Sequence, residues 1–116
     1  MPTELGQARV ATEEDYVSVA LLFKALAHPM RLKLVCGLLK QPCTQTHIAR
    51  TLNLPQSSVA QHLAVLRRAG IVGGTRDGTL LTLEVVDPRV PALLAQICKQ
   101  KNIKLDILWD AEKEIP

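Results

Sequence analysis

Apolar positions recur at helical spacing through the earlier part of this chain and then change to alternation. Between residues 44 and 70, TQTHIARTL reads as a short helix, NLP as a turn, and QSSVAQHLAVLRRAG as a second helix closed by glycine. In that second helix Val59, Leu63 and Leu66 fall at i, i+4 and i+7, the stripe of a helix with one face on a core. Ser57, Ser58, Gln61 and Arg68 project to the opposite side. Pro55 is pre-organised for a first helical turn, and Gly70 suits the left-handed position just past the end. The spacing predicts a helix over 56–69 as the second element of a helix-turn-helix.

Upstream, residues 1–11 carry no apolar period and read as an arm. Thr12-Glu13-Glu14-Asp15 has the form of a capping box. The helix that follows places Tyr16, Val19, Ala20, Leu22, Phe23 and Leu26 on more than one side, which suits either a partner subunit or burial within the chain. Ala27-His28-Pro29 ends it and starts another at about Pro29, over 30–40, with Leu32, Val35, Leu38 and Leu39 on its buried stripe and Cys36 on or beside it. Gln41-Pro42-Cys43 reads as a connector.

Downstream, Leu81, Leu83 and Val85 face one way while Thr82 and Glu84 face the other, a half-buried strand. Asp77-Gly78 is a strong hairpin signal, which predicts strands over 71–76 and 79–86 with a bend at Gly73-Gly74. Asp87-Pro88 opens a last helix whose regular part starts as late as Pro91, with Val90, Leu93, Leu94, Ile97 and Cys98 at helical spacing. Ile103, Leu105, Ile107, Leu108 and Trp109 then allow a strand, a short helix or an extended arm. The expected organisation is an arm over 1–11, a single domain over 12–101 and a tail over 102–116. The fold class is mainly α with a β-hairpin wing, a winged helix-turn-helix.

Composition narrows the function classes. A chain of 116 residues makes one domain with a modest core. Aromatic residues are only 3% of it, so the core should be aliphatic, and modules that stack bases on several aromatic rings are disfavoured. A net charge of +3 suits a polyanionic partner without requiring one. Serine hydroxyls, a carboxamide and an arginine on one helix face are groups that bond to base edges and phosphates. No apolar run reaches the length of a membrane span and no signal peptide precedes the fold, which points to a cytoplasmic protein without a membrane partner. Three cysteines in a reducing compartment argue against a disulfide framework. No paired carboxylates, complete metal set or nucleophile–base motif can be placed, so neither an enzyme nor a cofactor is expected.

ALAHPMRLKLV, then HIARTLNLPQSSVAQHLAVLRRAGIV, then a wing tipped by Asp-Gly, resemble the ArsR/SmtB family of dimeric bacterial repressors over residues 21–98. The resemblance implies an α-α-α-α-β-β-α winged-helix homodimer, paired through its first and last helices, that holds a palindromic DNA operator until an inducer loosens it. It puts the DNA-reading positions on Gln56, Ser57, Ser58, Gln61 and His62, with Arg76 on the wing. His62 borders the apolar stripe and could pack instead. Arg67 and Arg68 could serve the helix dipole rather than DNA.

The same resemblance frames the inducer. The ELCVCDL thiolate motif of metal-sensing members is replaced here by PCTQTHIA, and the last helix has no histidine. Cys43 and His47 share a helix face and suit a soft metal or metalloid, but they are two ligands only. Members that respond to persulfides or oxidants carry one cysteine in a motif like Arg31-Leu32-Lys33-Leu34-Val35-Cys36 and another in the last helix. Cys98 stands there about one turn early. This branch implies that a reactive sulfur species or oxidant links Cys36 to Cys98 and releases the operator. Metal or metalloid sensing by cysteines, or cysteines that only pack, are the alternatives.

Overall fold

A computed structural model describes residues 8–104. It contains five helices and a small antiparallel sheet: α1 (Glu13–Leu26), α2 (Pro29–Lys40), β1 (Cys43–Thr44), α3 (Gln45–Leu52), α4 (Gln56–Arg68), β2 (Val72–Asp77), β3 (Leu80–Val85) and α5 (Arg89–Lys101). This is the mainly α architecture with a hairpin wing expected of a winged helix-turn-helix. Leu105, Ile107, Leu108 and Trp109 lie outside the described residues.

Local chemistry sets the element ends. Thr12 closes a reciprocal capping box with Asp15 at the start of α1, and Arg9 pairs with the same carboxylate. α2 begins on Pro29 with His28 as its cap, the Met30 N–H donating to His28 Nδ1 at 3.0 Å. Thr44 caps α3 by accepting the His47 N–H at 3.1 Å, and Asn53 ends that helix in the left-handed conformation at φ 55°. α4 ends at Arg68, and Gly70 just past its cap takes φ 77°, with the Ile71 N–H reaching back to the Leu66 carbonyl at 3.0 Å. Pro91 lies inside the first turn of α5, where a missing N–H costs no helical bond, so the helix starts at Arg89 rather than at Pro91.

Val59, Leu63 and Leu66 are buried together with Leu34, Leu38, Ile48, Ile71, Leu83 and Val90 in one core. In α2 the buried face differs from the sequence expectation. Leu34, Val35, Cys36 and Leu38 point inward, Leu32 packs at the margin, and Leu39 is exposed. The apolar residues of α2 are nearly continuous, so periodicity alone does not say which of them lie inside.

The sheet order is β1-β3-β2. β1 is the element absent from the sequence expectation: Cys43 pairs with Leu83 and Thr44 with Thr82, so part of the connector is an edge strand. The hairpin also turns one residue later than Asp77-Gly78 suggests. Asp77 pairs with Leu80, leaving Gly78-Thr79 as the loop, and Gly78 supplies φ 64°. Glycine at the first loop position with a negative φ at the second is the type II′ arrangement. β2 runs continuously through Gly73 and Gly74. A Cβ on Gly73 would meet Val86 Cγ1 at 3.0 Å, and one on Gly74 would meet Leu81 Cδ1 at 2.7 Å. These glycines leave room for the side chains that cover the strand.

Candidate nucleic-acid interface

The burial of Val59, Leu63 and Leu66 orients α4, leaving Gln56, Ser57, Gln61 and Arg68 exposed and Ser58 and His62 half-buried. α4 has no side-chain cap, and Pro55 occupies the capping position, so its first turn presents backbone donors beside Gln56, Ser57 and Ser58. Amide donors and hydroxyls clustered at a helix N-terminus suit an anionic partner.

The wing and the two helices of the motif flank one groove. Arg76 and Leu81 from the hairpin, Thr44, Gln45, Thr46 and Arg50 from the β1–α3 segment, and Gln56 from α4 line it. Two expected contact residues, Gln56 and Arg76, therefore belong to one concave surface. Arg68 does not. It is at the other end of α4, in a cleft with Glu13, Glu14, Val17 and Leu21 of α1 and with Arg89.

Gln56 is held where it stands. Gln45 Nε2 donates to Gln56 Oε1 at 3.3 Å, and Gln56 Nε2 donates to Thr46 Oγ1 at 3.5 Å. The first turn of α3 thus fixes the first side chain of α4. Gln45 and Thr46 were not singled out by the sequence, because their role depends on how two consecutive helices cross and not on their own spacing.

His62 packs against His28, with ring centroids 4.5 Å apart and planes tilted by 48°. Burial lowers the His62 pKa from its ordinary value, and the nearby His28 and Arg31 add to that shift. His28 was equally invisible as a site residue, since its sequence context marks it only as the residue before a proline.

Cys36 and Cys43 are buried and Cys98 is half-buried, and none of the three is in a disulfide. Cys36 and Cys98 line one surface pocket with Leu39, Lys40, Pro91, Leu94 and Ala95. Burial pushes the Cys36 thiol pKa up, and the neighbouring Cys98 adds to it. Cys43 and His47 line a separate pocket with Thr44, Thr46, Arg50 and Thr82. Among the described residues no group of three or more His, Cys, Asp or Glu side chains is arranged to hold a metal ion. No helix among them is long and apolar enough to cross a membrane.

Residues 28–73 match the model of the bacterial regulatory proteins of the arsR family. The chain is 32% identical over 102 residues to the HTH-type transcriptional regulator YgaV of Escherichia coli strain K12, covering 87% of this chain and 96% of that one. Among solved structures, the transcriptional repressor PagR of Bacillus anthracis superposes with a TM-score of 0.68 at 33% identity, over 74% of this chain and 99% of that one. Reduced HlyU from Vibrio cholerae N16961 superposes with a TM-score of 0.68 at 26% identity, over 85% and 97%. The chain belongs to the arsR family and is a DNA-binding winged-helix regulator of transcription, not an enzyme.

Proposed function

We propose that the chain is a cytoplasmic homodimeric repressor that reads a palindromic operator with α4 and steadies itself on the backbone with the wing. The observation that carries this reading is the shared groove, where Gln56 and Arg76 flank one surface beside the uncapped first turn of α4. Ser57, Ser58 and Gln61 are the proposed base-edge and phosphate contacts, with Arg76 neutralising a phosphate. Dimerisation through α1 and α5 draws support from the apolar side chains α1 leaves uncovered: Tyr16 is 66% exposed, Leu21 55% and Phe23 51%. A gel shift with the DNA upstream of its own gene tests the reading. A sequence-selective complex that weakens steeply with salt is expected; a shift indifferent to sequence would refute it.

In this reading the cysteines of the DNA-competent state are packing residues, with Cys36 and Cys43 built into the core. A second reading, operator release on a thiol signal, draws on one observation: Cys36 and Cys98 share a pocket. Because the Cys36 thiol is buried, a reactive sulfur species or oxidant would attack Cys98. Cys36 would then close the link, the two thiols together giving two protons and two electrons to the oxidant. The HlyU neighbour described as reduced is consistent with redox chemistry on this scaffold. Intact mass after treatment with a persulfide donor or peroxide, on wild type, Cys36→Ser and Cys98→Ser, separates the readings. A linked species that needs both cysteines and no longer binds DNA supports the switch; unchanged DNA binding supports packing alone. Metalloid sensing at Cys43 and His47 would instead show as arsenite retained through dialysis and lost in Cys43→Ser.

A further inference from the structure

The contact between His28 and His62 joins the α1–α2 junction to the middle of α4, the helix proposed to read DNA. Each half of it is constrained. The Met30 N–H donates to His28 Nδ1, so that nitrogen must keep its lone pair and the ring proton belongs on Nε2. The His62 ring lies against His28 and is half-buried beside Leu63. Arg31 is tied to the end of α1, its Nε donating to the Ala25 carbonyl at 2.6 Å and its Nη2 to the Lys24 carbonyl at 3.2 Å. Its charge therefore stays beside the pair.

Among the described residues no acid acts on His62. The titratable and charged groups that act on His62 are His28 at the junction and Arg31 on α2. On α4 itself the charged residues are Arg67 and Arg68, both basic. The acidic residues of α1, Glu13, Glu14 and Asp15, are in its first turn, about 20 Å along the helix from the junction. A proton on His28 would put a donor against the Met30 N–H and remove the α2 cap. A proton on His62 would set a cation against an imidazole and a guanidinium. Either event favours separation of the rings, and separation frees α4 from the junction that braces it.

We infer that the His28–His62 pair is a proton-sensitive joint in which His62 acts as a positioning residue for α4, so that operator binding weakens on acidification through the histidine range. This rests on the reading of α4 as the DNA-binding helix. The sign is distinctive. A histidine that touched phosphate directly would bind DNA more tightly when protonated, whereas a joint that protons force apart binds it less tightly.

The test is operator affinity by fluorescence anisotropy from about pH 8 to about pH 5.5 at fixed ionic strength, across the histidine range. It compares wild type with His62→Gln, His28→Asn and the double variant; asparagine keeps a capping acceptor that does not titrate. Wild type is expected to lose roughly tenfold in affinity across the range. The double variant is expected to show a nearly flat profile. A flat wild-type profile, an unchanged slope in the variants, or tighter wild-type binding in acid would each overturn the joint. Thermal unfolding of the free protein reads the same contrast without DNA. Wild type should lose more melting temperature on acidification than His62→Gln, and equal losses would overturn the joint. Failure to bind any operator at about pH 8 would count against the operator reading alone, leaving the melting comparison to decide on the joint.

Discussion

Asp87 and Arg89 clasp one another across Pro88. The Arg89 N–H donates to Asp87 Oδ1 at 2.9 Å and Arg89 Nη2 to Asp87 Oδ2 at 2.7 Å, while the carboxylate is buried. This contact starts α5 at Arg89 and holds the Asp87 carboxyl pKa below its usual value, the hydrogen bonds from Arg89 outweighing the cost of burial. A depressed carboxylate stabilises the fold above its unfolded value, near pH 3.9, and that contribution is lost as the pH falls through the lower folded value. Asp87→Ala should cost about 1 kcal/mol in urea unfolding near neutral pH, the size of a lost cap. The difference from wild type should shrink below about pH 4.

Leu63 lies in the centre of the α4 stripe, and its truncation leaves a cavity. Leu63→Ala should destabilise the domain by about 2–5 kcal/mol. Its DNA affinity should fall only where the fraction folded falls. Circular dichroism melts alongside binding isotherms check both expectations.

On the wing, Arg76→Ala should weaken operator binding by a similar factor on matched and mismatched sequences. It should also reduce the slope of log affinity against log salt by about 1, as expected for one lost phosphate contact. Ser57→Ala and Gln61→Ala should change the ranking of operator variants while leaving the salt slope nearly intact. A binding matrix over single-base operator changes at two or more salt concentrations distinguishes these behaviours.

Gln45→Ala should act at a distance from its own position. It removes the donor to Gln56 Oε1, so Gln56 gains rotamer freedom and selectivity should relax at the base pairs nearest the α4 N-terminus. Selection of bound sequences from a randomised operator is the measurement. A preference unchanged at those positions would count against the pinning of Gln56.

The helix-turn-helix was legible from residues because its determinants are local. The Val59, Leu63 and Leu66 stripe, Pro55 and Gly70 each act within a few positions of themselves. What the sequence hid depends on distant partners. β1 is two residues long and is a strand only because Thr82 and Leu83 come to lie beside it. Leu34 is inside and Leu39 outside because of where α2 meets the sheet and α4, which its nearly unbroken apolar run does not encode. The room that the glycines of β2 leave does not show in their own spacing, since the side chains that cover them arrive from Leu81 and Val86 on the opposite strand and just beyond it. At the candidate site, Ser57, Ser58 and Gln61 could be named from helical projection alone. The restraint of Gln56 and the pairing of His28 with His62 could not.

Thr44 belongs to two structures at once. Its backbone pairs with Thr82 in the sheet, and its side chain caps α3. The wing and the helix-turn-helix are thereby geared together without a linker between them. A tilt of the hairpin about its base turns the start of α3, and through Gln45 and Thr46 that rotation reaches Gln56. If α4 and the wing grip the double helix as proposed, the two should engage and release as a single jaw.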